Sequence, residues 1–161
     1  RDKTKTMQAL IDETVQTVHK ISEDLRPAIL DDFGLPTAIE WHAEEFEKRT
    51  GIKCKPVFYP KEFDLSKEKS TNLFRIIQES LTNIIRHANA TEVEIKLSEK
   101  EGILVLEIQD NGKGISDAAI THPRSFGLIG IKERVHSLGG EVNIVGTPNE
   151  GTRIMVKISI Y

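Results

Sequence analysis

Two groups of regularly spaced polar residues are the parts of this sequence best suited to chemistry. Glu79, Asn83 and His87 lie four residues apart, so on a helix they would stack along one face. Asp110 ends an apolar run and is followed by Gly112 and Gly114. A carboxylate at a strand end can accept a hydrogen bond from an exocyclic amine, while glycines let the backbone approach a flat ligand. An ordinary tight turn would also explain this second group.

The line of Glu79, Asn83 and His87 also has two explanations. A polar face on an amphipathic helix is usually only solvated, and the flanking Arg86 fits that reading. An aligned glutamate and asparagine can instead orient a water molecule and complete the shell of a Mg²⁺ ion that keeps most of its waters. Spacing alone leaves both explanations open.

A third feature is a glycine-rich helix start. Residues 127–130 open a predicted helix that runs to about Leu138 and closes at Gly139. Glycines at a helix start expose backbone N–H groups and the positive end of the helix dipole, which together favour an anion. Lys132 and Arg134 follow in the second turn and add positive charge.

Hydrophobic periodicity predicts the elements that position these residues. Residues 66–88 form a helix with one broad apolar face, and residues 92–110 form an antiparallel hairpin with one solvent-facing side. Two further strands surround a turn in which Gly151 and Thr152 donate hydrogen bonds inward or merely reverse the chain. Residues 115–126 are mixed and polar, and we expect a mobile flap there. The apolar positions of the predicted helix are Leu73, Phe74, Ile77, Leu81, Ile84, Ile85 and Ala88.

Residues 4–25 place apolar side chains at alternating steps of four and three, which is typical of a helix that packs on other helices. Such a narrow seam cannot stabilise an isolated helix in water, so the pattern predicts dimerisation through a bundle. Pro27 ends this helix. A second helix is expected to be capped within 31–36 and to run to Thr50.

The segment 52–59 reads as an edge strand, because Pro56 cannot donate to the centre of a sheet. Composition sets further limits. The net charge of −3 shows no basic excess and argues against a nucleic-acid partner. No apolar run approaches the roughly 20 residues of a membrane span, so no membrane contact is expected. The single cysteine predicts a reducing compartment, and the start at Arg1 predicts a piece of a longer protein.

The order of the motifs resembles the Bergerat-fold (GHKL) ATP-binding domains over nearly the whole chain. Each motif is weak alone, but four in this order are specific. The residues that match the N box, the two glycine boxes and the final Gly-Thr box are Glu79-x-x-x-Asn83-x-x-x-His87, Asp110-x-Gly112-x-Gly114, Gly127-x-x-Gly130 and Gly151-Thr152.

A narrower resemblance is to two-component sensor histidine kinases of the nitrate-sensor (NarX/DesK-like) subgroup. It rests on Leu25-Arg26-Pro27, on residues 30–35, and on the run 127–134 that continues to Gly140. Ile131 stands where the subgroup commonly has Met, a departure that touches packing only.

The resemblance implies an α/β two-layer sandwich, in which a mixed β-sheet carries helices on one face, preceded by a helix from a dimeric bundle. It assigns residues 1–30 to part of the dimerisation domain and residues 31–161 to the ATP-binding catalytic domain. The implied ligands are ATP and Mg²⁺, the implied protein partner is a response regulator receiver domain, and the implied location is the cytoplasm.

The family pattern also implies residue roles. Asp110 would accept a hydrogen bond from the adenine amino group, and Asn83 would ligate Mg²⁺. Glu79 matches the position that orients the attacking group or water, and Thr152 would back the adenine. His87 is also implied to be catalytic. The other residues implied to contact the nucleotide are Arg86, His87, Gly112, Gly114, Ile115, Gly127, Leu128 and Gly130.

One expected feature is missing. In the subgroup the phosphate-accepting histidine lies on an earlier helix and is usually followed by an acidic residue, whereas His19 is followed by Lys20. We therefore expect transfer only to a histidine supplied in trans. Two alternatives remain: an ATPase of gyrase, chaperone or mismatch-repair type, and a non-catalytic, nucleotide-gated dimerisation module.

Overall fold

The computed structural model of this chain describes residues 28–122 and 125–161. The predicted helix over residues 4–25, its end at Pro27, and His19 lie outside the described residues. None of the helices in the described part of the chain has the length and apolar content that a membrane span requires.

The first described element, α1, covers residues 28–50. The predicted start of this helix within 31–36 is wrong, because residues 28–30 are already helical. Gly34, at φ +80°, together with Pro36 interrupts the helix geometry there, so the stretch is a kink rather than an N-terminus. The predicted end is confirmed: the Thr50 hydroxyl donates to the Phe46 carbonyl at 2.7 Å and ends the last turn.

Five strands form one mixed sheet in the spatial order β1-β2-β3-β5-β4. β1 runs parallel to β2, and every other neighbouring pair is antiparallel. β1 lies at an edge, which confirms the prediction made from Pro56. The strands are β1 Lys53–Tyr59, β2 Glu92–Lys100, β3 Ile103–Asp110, β4 Glu141–Thr147 and β5 Gly151–Ser159.

One face of this sheet is covered and the other meets solvent. Alternate residues of β2, such as Val93, Ile95 and Leu97, are fully buried, while Glu94 and Lys96 between them are exposed. The same alternation continues in the central strands β3 and β5. The predicted two-layer α/β architecture with helices on one face is therefore confirmed.

The long helix α2, Lys67–Asn83, continues into a π-helical segment, Ile84–Ala88. Ser66 caps its start, since the hydroxyl accepts from the backbone N–H of Lys69 at 3.3 Å. The predicted apolar face is confirmed except at Ile85, which is 45% exposed. The buried face of α2 also includes Ile76 and Ser80, so its centre is shifted away from Ile85, which lies at its edge.

The remaining helices are α3, Asp117–Ile120, and α4, Phe126–Ser137. α3 is a short helix inside residues 115–126, where we expected a mobile flap. α4 begins one residue before the predicted position and ends as predicted, with Gly139 at φ +65°. α4 packs on α2, so the glycine-rich start of α4 faces the polar side of α2.

Candidate functional site

Asp110 is the last residue of β3, and it is only 4% exposed. Its Oδ1 atom accepts a hydrogen bond from the backbone N–H of Gly112 at 2.7 Å. Burial raises the pKa of the Asp110 carboxyl above its ordinary range, while the backbone N–H groups of Gly112 and Thr152 act in the opposite direction. Thr152 therefore meets Asp110 through its backbone.

Gly112 and Gly114 are required for different reasons. Gly114 has φ +79°, a conformation that favours glycine. Gly112 has no positive φ, but a Cβ atom there would collide with the backbone carbonyl of Ala88 at the end of the π segment. The backbone N–H of Lys113 also donates to that carbonyl, at 2.8 Å. The loop after β3 is thereby pressed against the end of α2.

Asn111, which sequence reasoning passed over, fixes this loop to the start of β2. Its Oδ1 atom accepts from the backbone N–H groups of Thr91 at 2.9 Å and Glu92 at 3.0 Å, and its Nδ2 atom donates to the Thr91 hydroxyl at 2.9 Å. An Asx residue after a strand is a weak signal of such a bridge, because its partner lies 20 residues away.

The start of α4 meets the polar side of α2 at Gly127. A Cβ atom on Gly127 would collide with the Glu79 carboxylate oxygen Oε1 and would lie 3.2 Å from the Asn83 amide nitrogen. That amide nitrogen is buried and has no hydrogen-bond partner among the described residues. Two predicted site residues are thus brought together by the predicted glycine motif, and one of them carries an unsatisfied polar group.

The other predicted site residues are placed less tightly. Arg86 and His87 lie in the π segment and are exposed. His87 follows Asn83 by four residues across this segment, and their alignment on one side of the helix stays a prediction. Gly130 has open space beside it, since the nearest atom to an added Cβ is an Arg134 guanidinium nitrogen at 3.7 Å.

Two apolar residues of the predicted site belong to the core. Leu128 is buried within α4, and the partly buried Ile115 packs against the main cluster. The Ile115 backbone also lies against Gly146 of β4, where any Cβ would collide with it. Sequence reasoning missed Gly146, because a lone glycine in a strand signals only a possible close approach.

Lys132 and Arg134 were expected to add charge at the start of α4. The Lys132 ammonium instead donates to the Ile120 carbonyl at the end of α3, at 3.3 Å. The Arg134 guanidinium lies near the Gly130 carbonyl of its own helix, at 3.4 Å. A second hydrogen bond runs from the Ser125 hydroxyl to the Ala119 carbonyl at 2.7 Å. Together with the Lys132 bond, it links α3 to α4.

Within residues 28–122 and 125–161, no cluster of three or more His, Cys, Asp or Glu side chains could hold a metal ion alone. Mg²⁺ does not need such a cluster, because it usually binds through one or two protein oxygens, waters and substrate phosphates. Asn83 could offer such an ion its side-chain oxygen, while its buried amide nitrogen, which has no partner among the described residues, could only donate a hydrogen bond. A hard cation held mainly by phosphates is therefore compatible with the residues present.

Comparison with known protein families agrees with this arrangement. Residues 68–161, more than half of the chain, match the family described as histidine kinase-, DNA gyrase B-, and HSP90-like ATPase. The chain belongs to this family of ATPase domains. The matched region begins in α2 and contains the four motifs and the whole loop after β3.

Individual relatives are histidine kinases. The chain is 35% identical over 156 residues to the signal transduction histidine-protein kinase/phosphatase DegS of Brevibacillus brevis, covering 97% of this chain and 40% of the relative. It is 31% identical over 161 residues to the oxygen sensor histidine kinase NreB of Staphylococcus carnosus, covering 99% of this chain and 46% of the relative. The chain thus spans less than half the length of these two relatives.

A solved structure shows the same fold. The histidine kinase domain of a blue-light activated histidine kinase from Erythrobacter litoralis superposes with a TM-score of 0.65 at 22% identity. The match covers 78% of this chain and 61% of that one.

Proposed function

We propose that this chain is the ATP-binding catalytic part of a two-component sensor histidine kinase, and that it transfers the γ-phosphoryl group of Mg-ATP to a histidine. The observation that carries the proposal is the contact of Gly127 with Glu79 and Asn83, because it joins the second glycine motif to the polar side of α2. Similarity to histidine kinases over nearly the whole chain supports the same reading.

At the adenine end, Asp110 accepts a hydrogen bond from the exocyclic amine. Its carboxylate has about four lone-pair directions, and the backbone N–H groups of Gly112 and Thr152 take up part of that capacity and leave the rest for a ligand. Gly112 and Gly114 allow the loop to lie close to the base. Thr152, Ile115 and Leu128 complete the walls of this pocket.

At the phosphate end, the backbone N–H groups around Gly127 and Gly130 lie at the start of α4, where the helix dipole favours negative charge. Arg86 adds positive charge from the π segment after α2, and His87 lies next to it on that segment. Asn83 would hold Mg²⁺ through its side-chain oxygen, and the ion would supply charge neutralisation at the phosphates. Glu79, beside Gly127, orients the attacking group.

The proposal extends to the partners of the whole protein. Residues 1–30 are assigned to a partial dimerisation domain and residues 31–161 to the catalytic domain, so a homodimer forms through the N-terminal segment. A response regulator receiver domain takes the phosphoryl group onward. The chain acts in the cytoplasm.

The deciding experiment is phosphoryl transfer in trans. Incubated alone with labelled ATP and Mg²⁺, the chain should not acquire acid-labile phosphate, because the acceptor histidine is absent. It should label a separately supplied acceptor helix pair from its own parent protein, and Glu79→Gln should abolish that labelling while leaving ATP binding intact.

Three results would contradict the proposal. Self-labelling that His19→Ala abolishes would place the acceptor within this chain. Bound ATP with no labelling of the acceptor helices, and no difference between wild type and Glu79→Gln in any turnover assay, would favour a non-catalytic module. Hydrolysis of ATP without transfer would favour an ATPase of gyrase type.

A further inference from the structure

A surface groove outside the proposed nucleotide pocket lies where α1, α2 and α4 meet. Its volume is about 130 Å³, and its lining includes the buried side chains Phe46 and Leu81. One water needs only about 10–15 Å³ of such volume, so a tetrahedral oxyanion fits with water around it.

Arginines outnumber carboxylates in the lining of this groove. Each of the three helices contributes an arginine to the lining: Arg49 from α1, Arg75 from α2 and Arg134 from α4. In the part of the chain that the structure describes, none of these three forms a salt bridge, and Glu79 is the one carboxylate in the lining.

Arg49 and Arg134 are exposed and Arg75 is partly buried, so a dissolved anion can reach all three. Each guanidinium presents five N–H donors in a fixed plane and suits the bidentate recognition of phosphate oxygens. Lys48 beside Arg49 is instead paired with Glu45, at 3.2 Å.

Glu79 connects the groove to the proposed nucleotide site. Its side chain lines the groove and also contacts Gly127 at the start of α4, so one carboxylate borders both the groove and the proposed phosphate end of the nucleotide site. An anion in the groove would lie next to the residue that we assign to orienting the attacking group.

We propose that Arg49, Arg75 and Arg134 form a binding site for a phosphoryl dianion beside Glu79, separate from the nucleotide site. The assignment of a phosphoryl group rather than another anion rests on the proposed kinase function. Its source is either inorganic phosphate or the phosphorylated imidazole of the acceptor, and the two share the same tetrahedral oxyanion chemistry.

The test is a titration of the chain with inorganic phosphate, followed by NMR, in the presence of a saturating non-hydrolysable ATP analogue and Mg²⁺. The analogue fills the phosphate positions of the nucleotide site, so the remaining binding reports the groove. We expect saturable binding that weakens about tenfold or more in Arg49→Gln/Arg75→Gln. The matched control Lys48→Gln removes a neighbouring positive charge from the same helix and should change the affinity less than twofold.

A second arm separates the two sources. A short peptide carrying phosphohistidine is compared with the same peptide unphosphorylated and with inorganic phosphate. Tighter binding of the phosphopeptide alone, lost in the double arginine variant, assigns the groove to the phosphorylated acceptor. Equal affinity for phosphopeptide and inorganic phosphate assigns it to the free ion.

Equal losses in the double variant and in Lys48→Gln would overturn the proposal, because a diffuse positive field would then explain the binding. Absence of saturable phosphate binding would overturn it as well. Arg49→Lys/Arg75→Lys keeps both positive charges. It therefore serves as the control that separates a loss of binding in Arg49→Gln/Arg75→Gln from a loss of folding. ATP affinity measured on the same proteins tests the proposed function separately, since that affinity depends on the Asp110 site.

Discussion

The Asp110 carboxylate has both a structural role and a proposed binding role. One of its oxygens holds the loop through the backbone N–H of Gly112, and its burial leaves the remaining acceptor capacity in a place with little water. A hydrogen bond from a ligand amine is stronger there than it would be at the surface. The adenine of ATP and ADP would use the same capacity.

We therefore expect Asp110→Asn to weaken ATP and ADP alike. A hydrogen bond to a charged group contributes about 1.5–3 kcal/mol, so the loss should be roughly ten- to a hundredfold in Kd. Isothermal titration with each nucleotide measures it. Asp64→Asn, at an exposed carboxylate, is the control and should bind both nucleotides like wild type.

The Asn83 side chain should affect the metal rather than the base. Asn83→Ala should leave nucleotide affinity without Mg²⁺ unchanged and remove the gain in affinity that Mg²⁺ brings, because the proposed partner of the amide is the metal shell. Asn72→Ala, on the same helix with its amide bonded to the Glu68 carbonyl at 3.1 Å, is the matched control. Equal losses in Asn83→Ala and Asp110→Asn with and without Mg²⁺ would show that both residues only hold the fold together.

Some residue roles were beyond sequence reasoning. The motif spacing identified Asp110, Gly112 and Gly114, but not that Gly112 is needed for room beside Ala88, since that contact depends on how the loop meets α2. The backbone contact of Thr152 with Asp110 is likewise a product of tertiary structure. Residue identity was predictable from local pattern, whereas the physical reason for it was not.

At the scale of elements, the contact between α2 and α4 is built on one glycine, and the second glycine of the same motif is free of crowding. Gly127→Ala should displace the Glu79 carboxylate, which is the flexible end of a side chain, and so lower the rate of acceptor labelling strongly with little change in stability. Gly130→Ala should raise the free energy of unfolding by up to about 1 kcal/mol, because alanine is the better helix former.

Urea unfolding and acceptor labelling of both variants provide the measurement. The two alanine variants form a matched pair, since they add the same methyl group to the same helix. If Gly127→Ala loses stability and keeps full activity, the contact with Glu79 serves packing and not catalysis.

The elements themselves were largely predictable. Period-two and period-3.6 patterns gave the strands and α2, because burial on one face imposes those periods. The errors at Ile85 and at the start of α1 have identifiable causes. The buried face of α2 is shifted toward Ile76 and Ser80, which leaves Ile85 at its edge, and a kink at Gly34 resembles a helix start in sequence. Local propensity does not distinguish these cases, because the surrounding packing decides them.

At the scale of the whole molecule, the seam over residues 4–25 predicts self-association. We expect the chain to sediment as a dimer at high concentration and as a monomer in Ile11→Asp/Val18→Asp, because charged side chains cannot be buried in a helical seam without a partner. Analytical ultracentrifugation measures this, with Asp12→Asn, beside the seam, as the control. A wild-type chain that remains strictly monomeric at high concentration would contradict the prediction.

The pairing of β3 with β5 at the centre of the sheet has a consequence for chain length. Strand pairing joins residues 103–109 to residues 159–153. The chain between Gln109 and Arg153 is therefore one long connection whose two ends are held together by the sheet. The entropic cost of closing such a connection grows only with the logarithm of its length, and doubling the length costs about 0.6 kcal/mol. Residues can thus be added between α3 and α4 with little effect on the sheet, whereas a deletion that reaches Ile115 would remove its contact with Gly146 of β4.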